Sequence, residues 1–172
     1  MLFETLPTTI VRYPDPRLRG ACAPVDPTDE QVGLLAERMF ELMKQHNGVG
    51  LAAPQVGLNV RMFVCNPTGE PEDSLVLVNP VLSELTGSEE GEEGCLSIPE
   101  VRVRVRRAKR CRVVAHDPQG ALIEIECSDL LARIMQHEND HLEGKLIIDR
   151  MDGPDRIANK KAIAQLEADF KA

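Results

Sequence analysis

Two histidines one helical turn apart, with a glutamate beside the first, restrict this chain more than any other feature. Residues 137–141 read His-Glu-Asn-Asp-His, a form of H-E-x-x-H. Around them Leu130, Leu131, Ile134, Met135 and Leu142 recur at helical spacing, with Ser128 as a cap and Gly144 as a stop. On such a helix His137 and His141 project from one face, where their imidazoles can chelate one small cation. Glu138 lies about 100° around the helix from His137, given roughly 3.6 residues per turn. It can sit beside the cation without ligating it, the position of a general base for metal-bound water. A catalytic metal usually keeps three protein ligands and one open position. The fold must therefore bring a further ligand to this helix from elsewhere in the chain.

The flanking segments indicate what packs on it. Residues 1–27 are rich in proline and read as an irregular arm. Thr28, with Gln31 as its capping-box partner, starts a helix along Val32, Leu35, Ala36, Met39, Leu42 and Met43, which Asn47-Gly48 ends. Short strands follow at Val60–Cys65, Leu75–Val78 and Val81–Leu85. Val101, Val103 and Val105 alternate with Arg102, Arg104 and Arg106, the pattern of a half-buried strand with a basic face. Arg112–His116 and Leu122–Glu126 flank Asp117-Pro118-Gln119-Gly120 as a hairpin. A last helix starts at Pro154, with Ile157, Ala158, Ile163 and Leu166 as its expected buried face. The fold class is α+β: antiparallel or mixed β-sheets packed around a central metal-binding helix, with a C-terminal helix. The 172 residues are expected to form one domain, 1–172.

Composition narrows the partners. A formal net charge of −8 argues against binding DNA through its phosphates. The five cysteines (Cys22, Cys65, Cys95, Cys111 and Cys127) are odd in number and irregular in spacing, so they suit a reducing cytoplasm rather than a disulfide framework. No apolar run is long enough to span a bilayer, and the N-terminus has neither the basic nor the apolar region of a signal peptide. No membrane partner is expected.

Spacing alone leaves the third ligand open among His46, His116, the cysteines and many carboxylates. Cys95 is distinguished by its setting in Glu92-Glu93-Gly94-Cys95-Leu96-Ser97-Ile98-Pro99, where Gly94 allows close approach and Pro99 interrupts regular pairing. A lone cysteine also serves as a small buried hydrophobe. The segment Gly48–Gly57 is small, apolar and carries one amide, Gln55. It is either a packing crossover or a rim for an extended ligand. Lacking Lys, it is not a phosphate loop.

Taken together, three segments resemble the peptide deformylase family. Its motifs G-x-G-L-A-A-x-Q, E-G-C-L-S and H-E-x-D-H occur in order as Gly48–Gln55, Glu93–Ser97 and His137–His141, and the arm Tyr13–Arg19 resembles the family's N-terminal segment. The resemblance implies metal-dependent removal of the formyl group from N-formylmethionyl peptides of newly made bacterial proteins, in the cytoplasm, with release of formate. It implies Cys95, His137 and His141 as metal ligands, with Fe²⁺ the native ion and Zn²⁺ or Ni²⁺ its replacements. Glu138 becomes the general base and acid for the metal-bound water that attacks the formyl carbon. Gln55 and the Leu96 backbone N–H become the groups that bind the formyl oxygen. Val49, Gly94, Leu130, Ile134 and the His137 ring would line the methionine pocket, and Val49–Gly50 and Gly94 would pair with the peptide backbone. Arg102 has three readings: a peptide contact, a partner for Glu93, or a solvated strand face. Arg133 either turns to a carboxylate or reaches the peptide. The expected partners are formylated nascent peptides and a weak ribosome contact, though the mixed charge of the last helix speaks against the latter. The chain is expected to be a monomer.

Two rival functions remain. A zinc endopeptidase would take its third ligand downstream, where Glu143, Asp149 and Asp152 lie. A metal-stabilised module that binds nascent chains would need neither Glu138 nor Gln55.

Overall fold

The computed structural model describes residues 1–171. Helices α1 (Glu30–Gln45), α2 (Asp129–Leu142) and α3 (Gly153–Lys171) accompany seven strands: β1 (Gly50–Ala52), β2 (Met62–Cys65), β3 (Leu75–Thr86), β4 (Glu89–Cys95), β5 (Ile98–Arg107), β6 (Arg110–His116) and β7 (Leu122–Ser128). Strands β1-β2-β3-β6-β7 form one antiparallel sheet in that order, and β4 and β5 form a separate antiparallel pair.

Strand β2 explains how the main sheet is held. All of its residues are buried because both of its faces are covered. Met62 and Val64 join Val32, Leu35 and Met39 of α1 on one side. Phe63 and Cys65 join Met135 and Leu142 of α2 on the other. Side chains alternate across a strand, so one apolar run serves two cores. The valines of β5 face a third cluster, with Leu18, Ile98 and Leu146, while Arg102, Arg104 and Arg106 point outward.

Helix α1 is capped by Asp29, whose side chain accepts the Gln31 N–H, and not by Thr28. Thr28 bonds Asp26, and the Gln31 amide holds the arm at Leu2 and Phe3. Ser128 occupies the cap position of α2 but makes no side-chain cap bond. Gly144 follows α2 in the left-handed conformation expected of a helix stop. Strand β3 is continuous across the Asn79-Pro80 step, with register shifts absorbing the break. Strand β4 was not expected at all.

The largest departure concerns α3. Ile157 is 80% exposed, and Ala158 is exposed too. Ile163 and Leu166 face inward as expected, and the inward face continues through Asp155, Asn159 and Ala162 in place of Ile157 and Ala158. Asp155 accepts the Arg104 N–H at 2.9 Å, and Asn159 bonds the Arg102 carbonyl at 2.8 Å and its N–H at 3.4 Å. These are backbone groups on the edge of β5 that no strand pairs. The helix satisfies a sheet edge with polar side chains. No helix among the described residues is long and apolar enough to cross a membrane.

Candidate active site

Helix α2 packs on the main sheet through Ile134, Met135 and Leu142 and turns the adjoining side toward a groove of about 560 Å³. Its walls come from β1, from β4 with the turn after it, and from α2 itself. Glu138 and His141 are buried, at 4% and 1% exposure. Strand β1 passes so close that a Cβ on Gly50 would lie 2.5 Å from Glu138 Oε1. Only glycine fits there.

Strand β4 ends at Cys95, and the Leu96-Ser97 turn reverses the chain into β5. This brings the thiol to the helix. The ligand atoms of Cys95, His137 and His141 all lie within 4.8 Å of one another. His141 Nε2 is 3.5 Å from Cys95 Sγ, and the imidazole centroids are 5.2 Å apart with planes at 64°. A soft sulfur with two imidazoles is a donor set for Zn²⁺ or Fe²⁺. Glu138 Oε2 is buried there without a hydrogen-bond partner among the described residues. The residues present fit a divalent cation with a carboxylate beside it.

The orientation of these groups is set from outside. His137 Nδ1 lies 2.8 Å from Glu93 Oε1, which leaves Nε2 to face the thiol. Glu93 is gripped by Arg107 through Nε at 2.9 Å and Nη2 at 2.8 Å, and by Arg133 through Nη1 at 2.7 Å. Asp140 receives Arg107 at 2.7 Å and both Nε and Nη2 of Arg150 at 2.8 Å. Gln55, in the short 3-10 helix Ala53–Val56, accepts the Ala52 N–H on Oε1 at 2.9 Å. Its nitrogen therefore faces the site, 3.1 Å from Ser97 Oγ and 3.5 Å from Cys95 Sγ.

Electrostatics differentiate the carboxylates. Burial pushes Glu138 up to about 7, the range of a group that both takes and gives a proton near neutrality. Burial would raise Glu93 as well, but hydrogen bonds from Arg107 and His137 overcome it and hold Glu93 ionised far below the usual range.

Val49, Gly50, Gly94, Leu96, Leu130, Ile134 and Arg102 all line the groove, with Val49 and Leu130 on its open side. Arg102 does not hold Glu93. Its guanidinium lies over Gly94, where a Cβ would meet Nη1 at 2.8 Å. Arg133 turns to a carboxylate, Glu93. His46, the C-cap of α1, also reaches the groove, whereas His116 closes β6 away from it. The carboxylates an endopeptidase site would recruit are engaged elsewhere: Glu143 with Arg61, Asp149 with Arg19 and Asp152 with Arg104.

Sequence reasoning missed Glu93, Arg107 and Asp140 as supporting residues. One signal was available. Val101, Val103 and Val105 set the inward positions of β5, and the next inward position is Arg107, 5% exposed. A charge in an apolar series demands a buried partner.

The polypeptide deformylase family model matches residues 7–156. The chain belongs to that family. Among curated relatives, peptide deformylase 1B of Arabidopsis thaliana, a chloroplastic/mitochondrial protein, is 46% identical over 152 residues, covering 87% of this chain and 55% of the relative. The peptide deformylase of Rhodopirellula baltica is 40% identical over 148 residues, covering 85% and 74%. This chain thus spans little more than half the length of the plant relative. A crystal structure of the Arabidopsis deformylase with an inhibitor superposes with a TM-score of 0.89 at 41% identity, covering 95% of this chain and 92% of that one. The Thermotoga maritima peptide deformylase gives 0.80 at 41%, covering 87% and 99%. Family membership agrees with the fold expected from sequence.

Proposed function

We propose that this protein hydrolyses the N-formyl group of N-formylmethionyl peptides, with Cys95, His137 and His141 as metal ligands. The observation that carries the reading is the convergence of a thiol, two imidazoles and a buried, unpartnered carboxylate at one end of a groove. A divalent cation held there would polarise the formyl carbonyl and lower the pKa of water. Glu138 takes a proton from the attacking water and returns it to the departing amine as the C–N bond breaks, which yields formate and a free amino terminus. The Gln55 amide and the Leu96 N–H donate to the oxygen as it gains negative charge. The peptide backbone lies along Val49–Gly50 and Gly94 as an added strand, and its first side chain enters between Val49, Leu130 and Ile134.

The native ion in this reading is Fe²⁺, with Zn²⁺ or Ni²⁺ as replacements. A thiolate and a ferrous ion are both oxidisable, so anaerobic purification should preserve activity that air removes. The free cysteines suit a cytoplasmic setting. We further assign the chain as one domain, acting as a monomer on nascent peptides, with at most weak contact to the ribosome.

The test is formate release from formyl-Met-Ala, paired with metal analysis. Cys95→Ala should lose both metal and activity; an endopeptidase with a downstream ligand would keep both. A Glu138→Ala protein that turned over the substrate at the wild-type rate would overturn the mechanism.

A further inference from the structure

Arg133 takes no part in this chemistry, yet it sits one turn before His137 on the groove side of α2. A guanidinium at the mouth of an apolar pocket is a poor lining unless its donors are engaged elsewhere. They are. The Arg133 side chain is only 15% exposed. Its Nη1 donates to Glu93 Oε2 at 2.7 Å and to the Val105 carbonyl at 2.9 Å, and its Nη2 donates to the Glu89 carbonyl at 2.9 Å. Every one of these acceptors belongs to the β4–β5 pair, while the donor belongs to α2. The hairpin is shaped to admit it: a Cβ on Gly91 would lie 3.0 Å from the guanidinium carbon.

The consequence lies in what each partner carries. Strand β4 ends in Cys95, and α2 bears His137 and His141. The hairpin and the helix have different hydrophobic clusters beneath them, so polar bridges set much of their mutual placement. Glu93 fills this role too. Its Oε1 meets His137 and Arg107, and its Oε2 meets Arg107 and Arg133. A carboxylate offers about four lone-pair sites, so both oxygens are fully used and the group cannot rotate without losing a partner. Without Arg133, Oε2 keeps a single donor.

We propose that Arg133 is a positioning residue for the metal centre: it clamps the cysteine-bearing hairpin to the histidine-bearing helix and fixes the carboxylate that orients His137. The inference rests on the metal-site reading above. Its chemistry calls for arginine in particular, because a planar fork reaches separated acceptors that a lysine ammonium meets only in part.

The experiment compares wild type, Arg133→Met and Arg133→Lys, each stripped of metal and reconstituted with Zn²⁺ or Co²⁺. Zn²⁺ affinity is read by chelator competition and ligand geometry by the visible absorption of the Co²⁺ form. Arg133→Met is expected to weaken Zn²⁺ binding by about 10- to 100-fold, the usual effect of removing support from a ligand, and to shift the Co²⁺ bands. Arg133→Lys should fall between. If Arg133→Met does not fold, Arg133→Lys carries the test, and its identity to wild type in both readouts overturns the clamp. Wild-type affinity and spectrum in Arg133→Met overturn it as well; a raised KM for formyl-Met-Ala in that protein would assign Arg133 to the peptide instead. A wild-type protein that binds neither ion would overturn the metal-site reading itself, a result distinct from any failure confined to the variants.

Discussion

Helices α2 and α3 are built for different surfaces. The shorter, α2, buries seven of its 14 residues; α3 has 19 residues and buries only Asn159. Helix α2 lies on the flat face of a sheet, where side chains want apolar contact. Helix α3 lies along a sheet edge, where backbone groups want hydrogen bonds. An apolar stripe therefore locates the buried side of the first but only the later turns of the second: Ile163 and Leu166 pack inward, while Ile157 points to solvent where Asp155 and Asn159 take the sheet edge. The binding face of a helix is decided by what it covers.

That contrast can be tested from its strongest point downward. His141→Ala on α2 should abolish stoichiometric metal and formate release together, as read by elemental analysis and a coupled formate assay. Glu138→Gln should keep the metal but lower kcat by about 10²–10⁴-fold, the range for a lost general acid–base group. Metal loss in that variant would give Glu138 a different role. Met135→Ala, fully buried under the sheet, should cost about 2–5 kcal/mol in urea unfolding. On α3, Asn159→Ala leaves the Arg102 backbone unpaired and should cost about 1–3 kcal/mol, while activity stays close to wild type. Ile157→Ala should change stability by less than about 0.5 kcal/mol, as an exposed substitution does. A larger effect would mean that the Ile157 face of α3 is covered in solution.

The same physics explains how much was legible beforehand. Helix α2 was readable because its apolar spacing, its glycine stop and its histidine pair agree. The valine–arginine alternation of β5 was readable for the same reason. Strand β4 was not, since Glu89-Glu90-Gly91-Glu92-Glu93-Gly94 offers no apolar alternation. Its acids lie in register with the arginines of β5, Glu89 opposite Arg107, Glu90 opposite Arg106 and Glu92 opposite Arg104, and two ion pairs cross the ladder, Arg106 with Glu90 and Arg107 with Glu93. Cross-strand charge pairs stabilise a ladder, but the two partners must be read jointly to see it. The supporting shell was hidden likewise. Arg107 and Arg133 stand out as misplaced charges, and only the fold brings Glu93 between them.

The thiol of Cys95 and the ring of His141 are 46 residues apart in the chain. At a synthesis rate of about 5–20 residues per second, that separation amounts to about 2–9 s. During this interval Cys95 exists without the full pair of imidazoles that completes its site. It is then an ordinary thiol at the end of β4, whose pairing strand, β5, is finished at Arg107, well before α2 supplies the histidines. Loading with an ion must follow that interval, so the centre is among the last parts of the molecule to mature. The earliest vulnerability of such a protein to oxidants would come before it has ever turned over a substrate.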